Sequence, residues 1–182
     1  ILKKIIKPTL SIMREKKTPF EGILYAGLMI KNNEPKLIEY NVRFGDPECQ
    51  VLMRRLGAQI LDVIMDCLEG RLTKSQINWA NDSAIAVVMA SKGYPESYKK
   101  GTVIKNISES EKIEGVRVFH AGTIKKNGEI LSNGGRVLNV TCRSKNLFTA
   151  HKNVYKAVSL INWEGGFYRN DIGWRALNNS NS

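Results

Sequence analysis

Apolar residues recur at helical intervals near the start of the chain, where Ile5, Ile6, Leu10, Ile12 and Met13 sit among basic side chains with Pro8 early in the run. The pattern predicts a helix from about Leu2 to Lys16, stopped by Lys17-Thr18-Pro19. From Gly22 to Ile30 the sequence is short, apolar and uncharged. Lys31-Asn32-Asn33-Glu34-Pro35 is turn-like, and Lys36 to Phe44 is extended again, so these stretches predict a β-hairpin. Gly45-Asp46-Pro47-Glu48 reads as a helix start, because Asp caps, Pro suits the first turn and a carboxylate there suits the dipole. Leu52, Leu56, Ile60, Ile64 and Leu68 then recur every four residues up to Gly70, which predicts one continuous helix.

Beyond Arg71 the pattern changes. Ser75 to Ser83 is a polar connector containing Trp79, and Ala84-Ile85-Ala86-Val87-Val88-Met89-Ala90 has the profile of a buried strand. Short strands are expected at Gly101 to Ile107, Val116 to Ile124, Glu129 to Leu131 and Arg136 to Thr141, separated by Gly, Asn, Lys and Ser turns. Helical spacing returns from Phe148 to Leu160, and Asn178 to Ser182 is a polar stretch expected to be a disordered end. The expected class is α+β, divided into residues 1–72 and a small, mostly β unit over 73–182 with a late helix. No internal repeat is visible. Opening on Ile within an amphipathic helix, the chain reads as a piece of a larger protein.

Composition narrows the choice of partners. The 182 residues are 42% hydrophobic and 25% charged, ordinary for a globular chain, but 28 Lys and Arg against 17 Asp and Glu give +11. Residues 1–70 carry 11 basic and 9 acidic side chains, whereas 71–182 carry 17 and 8, so the second part holds most of the excess. Such a balance favours anionic partners. The basic residues are dispersed and interleaved with Glu109, Glu111 and Glu114, an arrangement that disfavours a nucleic-acid-binding module. No apolar run reaches the ~18 residues of a spanning helix, so no membrane role is expected.

Cys49, Cys67 and Cys142 lie far apart without a Cys-x-x-Cys pair, which points to a reducing, cytoplasmic setting; Cys49 and Cys67 are expected to be buried in helix. With only His120, expected to be structural in a strand, and His151, expected on the surface, histidine-based catalysis has little to draw on. Chemistry must rest on carboxylates, amides, Arg and Lys.

One segment offers such groups. Alternation in Ile38-Glu39-Tyr40-Asn41-Val42-Arg43-Phe44 puts Ile38, Tyr40, Val42 and Phe44 on a core face and Glu39, Asn41 and Arg43 on the other, spaced about 6.5 to 7 Å apart. Glu39 and the Asn41 carbonyl suit a hard cation such as Mg2+, and Arg43 can pair with an anion beside it. The bland alternative is a solvated strand face. Against it stand two further carboxylates, Asp46 and Glu48, at a helix start, and a preceding strand almost without charge.

Ile23-Leu24-Tyr25-Ala26-Gly27-Leu28-Met29 and the continuation through Arg43-Phe44-Gly45-Asp46-Pro47-Glu48-Cys49-Gln50 closely resemble the end of the ATP-grasp domain of the phosphoribosylamine–glycine ligase family. Lys92-Gly93-Tyr94-Pro95, His120-Ala121-Gly122-Thr123, Gly134-Gly135-Arg136-Val137-Leu138 and Tyr168-Arg169-Asn170-Asp171-Ile172-Gly173 extend the resemblance over nearly the whole chain. It implies the C-terminal part of an ATP-grasp fold, antiparallel strands plus helix, followed by the family's C-terminal domain. The implied activity uses ATP to join glycine to 5-phosphoribosylamine through a glycyl phosphate. Glycinamide ribonucleotide, ADP and phosphate are the products, in de novo purine synthesis.

By the same resemblance Glu39 and Asn41 are metal ligands for Mg2+ or Mn2+. Arg43 and Asp46 stand beside the glycine and acyl phosphate as catalytic and substrate-binding residues. Glu48, Gly134, Gly135 and Arg136 are further substrate contacts. The family's amino-terminal domain and remaining ATP-grasp lobes are partners this span lacks, so the span alone is expected to be inactive. Another ATP-grasp carboxylate–amine ligase is the alternative. On composition alone, Gly134-Gly135 is more often a hairpin turn, Lys92-Gly93-Tyr94-Pro95 is a turn, and Trp79, Trp163 and Trp174 are expected in packing.

Overall fold

A computed structural model of the chain describes residues 1–72 and 77–179. The class is α+β. Compactness separates two units, Ile1–Cys49 with Gly57–Asn78, and Gln50–Leu56 with Trp79–Ser182.

In the first unit a wide π-type turn over Leu2–Ile6 runs into α1, Lys7–Glu15, with Pro8 in its first turn. Strands β1, Tyr25–Lys31, and β2, Glu34–Asn41, form an antiparallel hairpin. Asn32 and Asn33 link them with φ of 50° and 62°, the left-handed pair a two-residue hairpin turn requires. Helix α1 is tied to the hairpin where Thr9 Oγ1 and the Tyr40 hydroxyl share a 2.6 Å hydrogen bond. Lys4 pairs with Glu34 at the surface, where such a contact adds little stability.

Two sequence expectations fail here, for identifiable reasons. Gly27 faces Glu39 while Leu28 faces Leu37, so Ile38 is the extra residue of a β-bulge and the simple alternation ends at it. Strand β2 then stops at Asn41. Ile38 and Val42 are accordingly 63% and 72% exposed instead of lying in a core. The long helix is also two helices, α2, Glu48–Leu56, and α3, Ile60–Leu68, joined by a tight turn over Gly57–Gln59. Gly57 has φ +60°, a helix-ending conformation that leucine spacing on either side cannot reveal. Pro47 precedes α2 instead of opening it, and Gly70 (φ +65°) follows α3 as expected. Gln59 exchanges two hydrogen bonds with the Asn78 backbone, at 2.6 and 2.9 Å.

The second unit is built on β3, Ser83–Ser91. After it come β4, Val103–Ile104, the short helix α4, Ile107–Ser110, then β5, Val116–His120, β6, Thr123–Lys126, β7, Glu129–Ser132, and β8, Arg136–Ser144. Helix α5, Leu147–Leu160, β9, Gly166–Tyr168, and α6, Trp174–Asn179, complete it. One antiparallel sheet has the order β5-β8-β3-β9 and a smaller one β4-β7-β6. The 101–107 stretch therefore keeps only two strand residues before turning into α4. The 116–124 stretch is split at Ala121-Gly122. Asn146 caps α5 by accepting from the Thr149 N–H at 2.8 Å, and the helix buries Ala150, Val154, Ala157 and Val158. These pack with Val87, Val116, Val140 and Cys142 in the core. Asn178 and Asn179 of the expected disordered end are helical, and residues 180–182 lie outside the described residues, as do residues 73–76, which include the first two residues of the polar connector.

Residues 50–56 are held within this unit by guanidinium chemistry. Arg54 Nη2 donates to the Gly115 carbonyl at 2.6 Å, Arg143 Nη1 donates to the Arg54 carbonyl at 3.0 Å, and Arg143 Nε pairs with Asp82. Burial, then the nearby Arg117 and Arg143 charges, push the Arg54 pKa below its ordinary value. Arg55 donates to the Ala80 carbonyl at 2.8 Å and lies over the Trp79 ring. Trp79 and Trp174 are half exposed, unlike Trp163, which is buried as packing predicts.

Asn139 is a buried polar exception in β8. It is 3% exposed, faces Val88 and Phe119 on the neighbouring strands, and neither amide atom has a hydrogen-bond partner. An unpaired buried amide is costly. Asn139→Val is therefore expected to raise unfolding stability by about 1 kcal/mol; urea titration checks it, and a lower midpoint would mean that the amide is satisfied in solution.

Candidate functional site

The first unit's polar cluster is assembled by the hairpin and the start of α2. Tyr25 faces Asn41 across the ladder and Gly27 faces Glu39. Asn41 Nδ2 donates to Glu39 Oε1 at 2.9 Å, so the structure brings together the pair the sequence singles out. Gly27 makes room for it: a Cβ there would lie 3.1 Å from Glu39 Cγ, tight enough to displace the carboxylate stem. The amide is turned so that Asn41 Oδ1 remains an acceptor, alongside the second Glu39 oxygen.

Arg43 departs from the expected row. Because β2 ends at Asn41, Arg43 lies in the bend that follows, exposed, with Nη1 donating to the Phe44 carbonyl at 2.8 Å. Asp46 is exposed in the turn before α2 and Glu48 opens that helix, whose ladder begins with the Cys49 N–H donating to Gly45 at 2.9 Å. Gly45 is buried against the Glu48 side chain, whose carboxylate would have to move to admit a Cβ. Glu48 Oε1 accepts from the Tyr25 hydroxyl at 3.1 Å. The phenol is held above its ordinary pKa first by burial, then by this hydrogen bond and the charges of Glu48 and Glu39.

Sequence reasoning passed over Tyr25, Gly27 and Gly45. The signal was present for the first two, since Tyr25 and Gly27 alternate on one strand as Glu39 and Asn41 do on the other. Nothing in the sequence marked Gly45 as a packing glycine. Cys49 and Cys67 are half-buried, contrary to the expectation of full burial, while Cys142 is buried. Burial, then Asp46, raises the Cys49 thiol pKa, which leaves it a poor nucleophile.

Chemically, Glu39 and Asn41 offer hard oxygen donors that fit a divalent cation. Among the described residues no three His, Cys, Asp or Glu side chains gather in a metal-holding group. A cation here would complete its shell from water or a bound phosphate, the usual habit of Mg2+.

Gly134 and Gly135 lie in the second unit between β7 and β8, and Arg136 is the first residue of β8. Ser91 donates its N–H to the Gly135 carbonyl at 2.7 Å and its hydroxyl to the Gly134 carbonyl at 2.8 Å. A Cβ on Gly135 would run into the Tyr94 ring, and one on Gly134 would come within 3.0 Å of the Gly122 Cα. Both glycines are thus needed for close packing, and exposed Arg136 opens β8 at the end of the loop. His120 is exposed, its Nδ1 3.0 Å from the Thr123 hydroxyl across the β5–β6 turn. His151 is half-buried, not a free surface residue, with its ring 4.7 Å from that of Tyr155.

Residues 1–49 match the family model described as phosphoribosylglycinamide synthetase, ATP-grasp (A) domain, and residues 84–175 match the C domain of the same synthetase. A phosphoribosylamine–glycine ligase of Brucella melitensis is 50% identical over 176 residues, covering 97% of this chain and 41% of that protein. The chloroplastic ligase of Arabidopsis thaliana is 52% identical over 181 residues, covering 97% and 34%. A crystal structure of the Thermotoga maritima phosphoribosylamine–glycine ligase superposes with a TM-score of 0.81 at 29% identity, covering 93% of this chain and 41% of that one. The chain thus spans well under half the length of these relatives.

Glu48→Gln is expected to lower the Tyr25 pKa without restoring the ordinary phenol value, because burial is the larger cause. Tyrosinate absorbance titration of wild type and E48Q, with Tyr25→Phe to identify the group, measures the change; identical wild-type and E48Q curves would show that the hydrogen bond is absent in solution.

Proposed function

The chain belongs to the phosphoribosylglycinamide synthetase family, and from that premise we propose that it is part of a phosphoribosylamine–glycine ligase, working with an amino-terminal domain and further ATP-grasp lobes. In the proposed reaction a glycine carboxylate oxygen attacks the γ-phosphorus of ATP and ADP leaves. The amine nitrogen of 5-phosphoribosylamine then attacks the carbonyl carbon of the glycyl phosphate, losing a proton and expelling phosphate to give glycinamide ribonucleotide.

The Glu39–Asn41 pair is the single observation that most supports this reading, since it sets two hard oxygen donors side by side. Those two residues would hold Mg2+ or Mn2+, which when bound neutralises phosphate charge during phosphoryl transfer. Around them the chain's own groups have distinct tasks. Gly27 and the Asn41 amide fix the Glu39 carboxylate; Tyr25 fixes Glu48 at the start of α2. Arg43, exposed beyond the strand, is assigned to the acyl-phosphate anion, and Asp46 to the glycine amine. Glu48, Gly134, Gly135 and Arg136 are assigned to substrate contacts, the two glycines by shaping their loop. A chemistry of positioning and charge needs no catalytic Cys or His. Free thiols at Cys49, Cys67 and Cys142 support a reducing, cytoplasmic setting, and among the described residues no helix is long and apolar enough to cross a membrane.

In the longer protein carrying this segment, Glu39→Ala and Asn41→Ala are each expected to lower glycine-dependent ADP release by about 100-fold, with folding intact by circular dichroism. Undiminished turnover in both would remove the metal role from this strand. The 182-residue chain alone is expected to release no ADP with glycine and 5-phosphoribosylamine present, and turnover by it would contradict the need for the remaining lobes.

A further inference from the structure

The second unit contains a cleft of about 720 Å3 that the ligase reading does not use. It is lined by Lys92, just after β3, by Lys99 in the loop that follows, and by Lys105, just after β4, together with Val103, Asn162 and Glu164. The three lysines and Glu164 are exposed, and among the described residues none of the four takes part in an ion pair. Three ammonium groups against one carboxylate leave a formal +2, spread over separate chain segments. Such a surplus calls for an anionic occupant, and the lining decides which kind.

A compact oxyanion such as phosphate is best held by converging backbone N–H groups or a guanidinium fork. No arginine lines the cleft, and the amides of Lys92, Gly101, Thr102, Lys105 and Asn162 already donate within its frame, over 2.7 to 3.2 Å. Beneath them, buried Trp163 donates Nε1 to Thr102 Oγ1 at 2.8 Å and ties the floor together. The cationic groups are therefore single ammonium charges on flexible stems, and Glu164 among them repels a dense anion. A nucleic-acid strand fits no better, because none of the lining residues offers an aromatic ring for a base to stack on. Carboxylates spaced along an extended peptide suit the arrangement, since they can meet the lysines and pass clear of Glu164. The peptide's own amides supply partners for Asn162 and Glu164, and half-buried Val103 adds an apolar contact.

We propose that this cleft docks an extended, carboxylate-rich segment of a partner protein. Lys92, Lys99 and Lys105 receive its Asp or Glu side chains, and Asn162 bonds its backbone. Glu164 accepts a peptide N–H and fixes the register, because a carboxylate placed opposite it is repelled. The assignment rests on the cleft's own residues and stands whether or not the hairpin serves a ligase.

Fluorescence anisotropy with a labelled peptide of alternating Glu and Ser tests the docking, on the 182-residue chain and on the longer protein that carries it. Saturable binding that weakens with added salt is expected for both, and none for the same peptide with Gln in place of Glu. Lys92→Gln and Lys105→Gln should each weaken binding by about threefold, the scale of one exposed ion pair, while Glu164→Gln strengthens it by a similar factor. Lys125→Gln, on β6 at the opposite edge of the small sheet from β4, should leave the affinity unchanged. All four side chains are exposed, and matching circular dichroism spectra establish that the variants fold. Equal weakening by Lys125→Gln would reduce the effect to general surface charge, and binding by the 182-residue chain but not by the longer protein would show that the protein's own lobes cover the cleft. Either result overturns the proposal, as would affinity indifferent to Lys92 and Lys105, or tighter lysine-dependent binding of a single-stranded RNA oligonucleotide or of inorganic phosphate than of the peptide.

Discussion

The second unit depends on the pairing of β3 with β8. Ser83 to Ala90 lie against Ser144 to Arg136, and Val87, Val137, Leu138, Val140, Thr141 and Cys142 are wholly buried. Three further elements attach directly to these two strands. β5 extends β8, β9 extends β3, and α5 packs across both. The two ends of the pair carry different polar work. At one, Asp82 and Arg143 fasten residues 50–56; at the other, Ser91 clamps the Gly134–Gly135 loop. Hydrophobic burial supplies the driving force, and the polar groups at its margins decide which segments it holds.

The elements that were legible in the sequence are those whose information is local. Ala84 to Ala90 announced β3 because a strand buried on both sides is continuously apolar, and Phe148 to Leu160 announced α5 by its spacing. Asn32-Asn33 marked the hairpin tip for the same reason, since few residues tolerate left-handed φ. What escaped was set by partners. The bulge at Ile38 exists only in relation to β1, and no pattern within Lys36 to Phe44 reports it. The break at Gly57 was overlooked because leucines on both sides continued the period. The Glu39–Asn41 pair survived these errors because its two residues lie between the bulge and the strand end. Arg43 did not, falling two residues past the point where alternation has meaning.

Two kinds of polar ground emerge. The hairpin and the start of α2 gather carboxylates, an amide and a phenol whose proton is held more tightly first by burial and then by its acidic surroundings. The cleft of the second unit gathers Lys92, Lys99 and Lys105 beside Glu164, none of which takes part in an ion pair among the described residues. The surplus of positive charge over residues 71–182 thus has a local expression, beyond its role in solubility. The carboxylates of Glu39 and Glu48 and the lysines of the cleft are exposed, which keeps desolvation costs low.

The bulge at Ile38 has a consequence for how this segment accommodates changes of length. On the tip side, between Leu28 and Leu37, the ladder encloses the two-residue turn and pairs of mostly exposed side chains, so added residues can lengthen the loop without turning Glu39 over. On the other side, a single insertion between Glu39 and Asn41 would put the two donors on opposite faces, since side-chain direction inverts with each residue. Length variation among natural or engineered versions of this hairpin should therefore collect at Lys31 to Glu34, making its tip the place to graft a tag or a reporter.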